Sequence, residues 1–239
     1  MTPLLLLSTL GCVALDETVA SDLVLWSGTV LEDPYLGDEA TALAGGGLVA
    51  VDLDDSEVAI GEESESTPGS YSLEVPAGAA LAIRVTGPLH VPTVFRGYAP
   101  ETRALWFNGA LFGRQRAPLD AFLSGLGVTP DAGPGSLEDA ERVHLWVEPA
   151  DPTAMAGGTI DLTDGEGQPG AVLALTTTPD GRLVEATPAD PVTLILGLDL
   201  APGDVTLSLG AIDGRIAATT WPSRGGDLLV GPGFALVPE

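Results

Sequence analysis

Ser70-Tyr71-Ser72-Leu73-Glu74-Val75-Pro76-Ala77-Gly78-Ala79-Ala80-Leu81-Ala82-Ile83-Arg84-Val85-Thr86 reads as two strands joined at a Pro-Ala-Gly break. Tyr71, Leu73 and Val75 alternate with Ser70, Ser72 and Glu74, and Leu81, Ile83 and Val85 alternate with Ala82, Arg84 and Thr86. A period of two places one set on a core face and the other toward water, which is the pattern of a half-buried strand. Arg84 is therefore expected to point outward.

The same period runs outward in both directions. Val49, Val51 and Leu53 oppose Ala50, Asp52 and Asp54 upstream, with Gly45-Gly46-Gly47 and Pro68-Gly69 as breaks. Downstream, Val143, Leu145 and Val147 share a face, leaving His144 outward; Ile160 and Leu162, the run Ala171 to Leu175, Val192 to Leu198, and Val205, Leu207 and Leu209 continue the series. Short strands separated by regular Gly and Pro signals predict an all-β sandwich architecture. One helix interrupts it, over Pro118-Leu119-Asp120-Ala121-Phe122-Leu123-Ser124-Gly125, with proline near its start and glycine as its stop.

Breakers at Thr129 to Ser136 put a boundary near Gly135. The halves also echo one another. Leu25-Trp26 precedes Leu43-Ala44-Gly45-Gly46 and a strand, as Leu145-Trp146 precedes Met155-Ala156-Gly157-Gly158 and a strand. The expected organisation is a signal segment over 1–12, a first β-sandwich over 22–116, a helix and linker over 117–136, and a second β-sandwich over 137–239.

Thr67-Pro68-Gly69-Ser70-Tyr71-Ser72-Leu73-Glu74-Val75-Pro76-Ala77-Gly78 resembles the signature of carboxypeptidase regulatory-like domains, and Ala156-Gly157-Gly158-Thr159-Ile160-Asp161-Leu162 is similar to a second strand of that family. The resemblance implies two tandem Greek-key, transthyretin-like sandwiches of the kind that serve as accessory or adhesive modules. The chain departs from the family where a Gly-Tyr pair is usual, carrying Gly87-Pro88-Leu89-His90-Val91-Pro92, and it lacks a Tyr after Gly181.

At the N-terminus, Pro3-Leu4-Leu5-Leu6-Leu7-Ser8-Thr9-Leu10-Gly11 leads to Cys12, the one cysteine among 239 residues. The run resembles a bacterial lipoprotein signal, in which the cysteine is acylated and becomes the first mature residue, although Thr9 stands where leucine is usual and Met1-Thr2 lacks the basic opening of a signal segment. That resemblance implies a cell-envelope protein, an outer-membrane lipoprotein facing the periplasm or the cell surface, held to the membrane through a lipid anchor only. A single thiol excludes an intramolecular disulfide and clustered thiolate metal sites.

Nine arginines and no lysine stand against 34 carboxylates, for a net charge of -25. This balance has no cationic footprint for a phosphate backbone or an anionic lipid surface, so no nucleic acid partner is expected. Nor does nucleophilic chemistry announce itself. There is no Gly-x-Ser-x-Gly and no His-Glu-x-x-His, and His90 and His144 are the only histidines. The predicted protein is not an enzyme and carries no cofactor. One acidic stretch invites calcium, with Asp52, Asp54 and Glu63 at positions one, three and twelve of an EF-hand-like count, but Glu57 occupies the sixth position, where the sharp turn needs glycine.

Between Phe95 and Phe122 lie six of the chain's twelve aromatics and four of its nine arginines. Aromatic rings and guanidinium groups make contact hot spots because they supply large area or directed hydrogen bonds at modest entropic cost. Arg103, Trp106, Arg114 and Arg116 are the candidate contacts for a protein or glycan partner; the same aromatics would otherwise fill the first core and the junction of the halves. The functional expectation is a non-catalytic adhesion, scaffolding or accessory module. A carbohydrate-binding module and an envelope hydrolase without a familiar motif are the alternatives.

Overall fold

The computed structural model describes residues 23–32, 47–52, 64–65, 70–77, 80–87, 90–98, 106–127, 141–231 and 237–238. In chain order the strands are β1 (Leu23–Glu32), β2 (Gly47–Asp52), β3 (Ser64–Glu65), β4 (Tyr71–Pro76), β5 (Ala80–Thr86), β6 (His90–Val91), β7 (Thr93–Tyr98) and β8 (Trp106–Gln115). Helix α1 (Arg116–Gly125) follows, then β9 (Val143–Val147), β10 (Thr159–Thr163), β11 (Ala171–Thr177), β12 (Leu183–Glu185), β13 (Leu194–Leu200), β14 (Gly203–Gly210), β15 (Arg215–Ser223), β16 (Leu228–Gly231) and β17 (Val237–Pro238). A 3-10 turn, Pro152–Met155, precedes β10.

The all-β class is the one expected, but the halves meet in an unexpected way. Among the described residues three sheets form, in the orders β4-β1-β8-β6, β10-β14-β15-β17 and β12-β11-β13-β9-β16-β7-β5-β2-β3. The nine-stranded sheet draws β12, β11, β13, β9 and β16 from the second half and β7, β5, β2 and β3 from the first. Instead of two separate pairs of sheets on either side of Gly135, one central sheet serves both halves. β16 makes the join, running parallel to β7 through Leu228↔Thr93 to Val230↔Phe95 and parallel to β9 through Leu228↔His144 to Gly231↔Val147.

Around the join this central sheet is covered on both faces. On one face, Val143, Leu145 and Val147 of β9, Ile195 of β13, Leu229 of β16, Val94 of β7 and Ala82 of β5 pack against Leu162, Val205, Leu207, Leu209 and Trp221 of the β10-β14-β15-β17 sheet. On the other, Leu119 and Leu123 of α1 close over Trp146, Leu194, Leu196, Leu228 and Val230, with Phe95 and Phe122 packed alongside. Phe122 meets Trp146 with ring centroids 5.3 Å apart. Phe95 and Phe122 are thus partly buried against the core at the junction of the halves. Beyond the helix, Leu81, Ile83 and Val85 lie on the same face as Phe95, toward the sheet whose β4 buries Tyr71, Leu73 and Val75.

Two-sided burial explains where alternation misleads. β4 keeps one wet face, and Tyr71, Leu73 and Val75 are buried while Ser72 and Glu74 are exposed. In β5 and β9 the opposite faces are covered as well, so Arg84 (1% exposed) and His144 (3% exposed) are interior rather than outward-facing. His90 belongs to β6 and is also buried. The predicted helix forms, beginning two residues earlier than its proline.

Candidate functional site

The residues singled out from the sequence fall in different places. Cys12, Arg103, Asp54 and Glu63 lie outside the described residues. Asp52 ends β2, opposite Leu81 of β5. Trp106 opens β8 opposite Ser27, Arg114 lies near its other end opposite Val91, and Arg116 is the first residue of α1. Trp106 and Arg114 stand near opposite ends of β8, whose register against β1 shifts between Ser27 and Thr29; counted along β1 they are roughly 20 Å apart, so the pair marks two ends of one strand rather than one pocket. Among the described residues no group of three or more His, Cys, Asp or Glu is placed to hold a metal ion. Asp164, part of a second acidic loop, directs Oδ1 at the backbone N–H groups of Glu166 (3.0 Å) and Gln168 (2.8 Å), and so closes its own turn.

The most completely built polar centre lies at the join, and its geometry was not legible from sequence. Arg84 on β5 donates Nε to Oδ1 of Asp227 at 3.1 Å and Nη2 to Oδ2 at 2.7 Å, with both side chains 1% exposed. The partners are 143 residues apart. Two parallel N–H···O bonds in this fork-to-fork arrangement are the strong form of an ion pair, and burial raises the cost of removing either member.

Local backbone holds Asp227 in place. The segment Arg224-Gly225-Gly226-Asp227 is a tight turn closed by Asp227 N–H to the Arg224 carbonyl at 3.1 Å, with Gly226 at φ 88° in the third position, where glycine carries no steric cost. Arg224 N–H adds a bond to Asp227 Oδ2 at 3.0 Å. The Asp227 carbonyl accepts from His144 N–H at 3.0 Å, Gly226 N–H donates to the Arg142 carbonyl at 2.7 Å, and Leu228 N–H donates to the Pro92 carbonyl at 2.7 Å. His144 Nδ1 accepts the N–H of Asp199 at 3.4 Å, and Asp199 sits at φ 59° beside Arg142, whose Nε is 3.4 Å from its carboxylate. At the far end of β7, Arg96 donates Nη1 to the Thr220 carbonyl of β15, a second tie between the halves.

Elsewhere charge is used in turns. Asp213 in the β14–β15 hairpin accepts from Arg215 N–H (3.2 Å) and Nε (2.8 Å), which holds its carboxyl below the usual aspartate range and raises the Arg215 guanidinium. Asp190 is held low by the Thr187 hydroxyl (2.7 Å) and then by the Thr187 N–H (2.8 Å). In the opposite direction, burial pushes the Tyr71 phenol up to about 12, and among the described residues its hydroxyl has no hydrogen-bond partner.

No protein-family model matches the chain, and no curated protein matches it. Among solved structures it is similar to the Bacillus anthracis TIE protein, at 8% identity and a TM-score of 0.28, over 88% of this chain and 34% of that one. It is also similar to a family CBM26 module of Eubacterium rectale solved in complex with maltoheptaose, at 8% identity and a TM-score of 0.24, over 90% of this chain and 95% of that one. The chain thus spans about a third of the TIE protein's length. At these scores neither likeness bears on function.

Proposed function

We propose that the chain is a non-catalytic cell-envelope lipoprotein, held to the membrane by a lipid on Cys12 and acting as an adhesion, scaffolding or accessory module. The observation that carries this reading is the central sheet shared by both halves: a body that presents surfaces to partners needs those surfaces held in fixed relation, and β16 with the Arg84–Asp227 pair ties them together. A net charge of -25 favours solubility next to a like-charged membrane surface and leaves attachment to a covalent anchor. Eleven residues separate Cys12 from Leu23, a reach of at most roughly 40 Å, so the module would work close to its anchoring leaflet.

Intact-mass analysis of the protein from its native membrane fraction tests the anchor. A diacylglyceryl-modified chain beginning at Cys12 supports it, and an unmodified Met1 terminus overturns it. Within the same reading Trp106 and Arg114 are partner contacts. Because they lie roughly 20 Å apart along the sheet, a partner touching both would be macromolecular. Alanine at both positions is then expected to leave the melting temperature unchanged; a fall of several degrees assigns them to the core.

A further inference from the structure

The apolar residues of β16 do not encode a register. Leu228 and Val230 face α1, and Leu229 faces the opposite sheet. In a half-exposed strand a one-residue slip drives the apolar set into water, and this fixes the register. In β16 a one-residue slip still places leucine or valine at two of the three apolar positions, with Gly231 or Asp227 taking the third, and the evenly spaced bonds of a parallel ladder re-form after it.

Asp227 cannot slip. Its carboxylate is buried and meets Arg84, which projects from β5 on the far side of β7. Moving β16 by one residue shifts Asp227 by roughly 3.3 Å and turns it to the other face of the sheet, which takes the buried carboxylate away from the Arg84 guanidinium. We propose that Arg84–Asp227 is a register lock, which specifies where β16 seats between β7 and β9 and contributes little net stability over an apolar pair. Fixing register is the best-attested use of a buried polar or ionic group, whereas replacing a buried ion pair by apolar residues of similar volume is often neutral or stabilising.

The test is the full chain carrying R84M together with D227L, labelled with ¹⁵N-leucine and ¹⁵N-valine. The double variant is expected to unfold cooperatively, with its melting temperature within about 4 °C of the parent, and to show two or more sets of amide signals for Leu228, Leu229 and Val230 where the parent shows one. A single parent-like set overturns the proposal, because something else then sets the register. Loss of the folded spectrum overturns it too, since the pair is then a stability element. The exchanged pair R84D with D227R is expected to restore one set of signals, and signals that stay split in it count against the lock.

Discussion

Arg84 and Asp227 are costly to separate because each is buried against the other. Arg84→Met alone leaves an uncompensated carboxylate in the interior, and urea denaturation is expected to show a loss of about 3–5 kcal/mol, far more than the paired replacement R84M with D227L. Tyr71 presents the reverse case, a buried hydroxyl without a partner among the described residues. Tyr71→Phe is expected to leave stability unchanged or raise it by about 1 kcal/mol in the same assay, and a comparable loss would mean that the hydroxyl is bonded. The Tyr71 phenol keeps its proton to about 12, above the unfolded value near 10. Its contribution is therefore fully present below about pH 10 and falls as pH rises toward 12. Absorbance titration at alkaline pH should show one tyrosine ionising near 12, and Tyr71→Phe should remove that step. Asp190 and Asp213 have the opposite sign: held below the ordinary aspartate value, they contribute above about pH 4, and this contribution is lost as pH falls through their lowered values. Asp213→Asn should accordingly flatten the dependence of the urea midpoint on pH below 4.

Among the elements, β16 bears most on the arrangement of the halves and shows least in the sequence. Four residues with no polar alternation give no period to read, and the strand's partners lie in both halves. β4 was legible because only one of its faces is covered, so Tyr71, Leu73 and Val75 separate cleanly from Ser72 and Glu74. β9 was legible as a strand but not in its faces, since Trp146 and His144 are buried under the helix side while Val143, Leu145 and Val147 meet the opposite sheet. An alternating pattern implies one wet face only when nothing covers it, and no local signal reports a covering element that arrives from a distant part of the chain. The same reason hid the polar join, for Arg84 reads as a surface arginine until Asp227 is brought beside it. Of the aromatic and arginine cluster, Phe95 and Phe122 proved to be partly buried against the core and Arg96 a tie to Thr220. Leu229→Ala probes the strand directly: truncating a fully buried leucine between two sheets is expected to cost about 2–5 kcal/mol in chemical denaturation. Gly226→Ala adds a side chain at φ 88° in the turn that launches β16, and a smaller loss of about 1 kcal/mol is expected.

At the scale of the whole molecule, a sheet shared through an inserted strand couples the halves. Neither side of Gly135 holds a complete central sheet: β7 lacks its neighbour without β16, and β16 is delivered only after β15, near the end of the chain. The hydrophobic layers reinforce the coupling, because Ala82 and Val94 of the first half share a core with Trp221 and Leu229 of the second. Domains joined only by a linker melt separately when their stabilities differ, whereas a core that runs through both must come apart in one step. Differential scanning calorimetry of the intact chain tests this most directly. The shared sheet predicts one transition whose calorimetric and van't Hoff enthalpies agree; two resolved transitions, or a calorimetric enthalpy near twice the van't Hoff value, would contradict it.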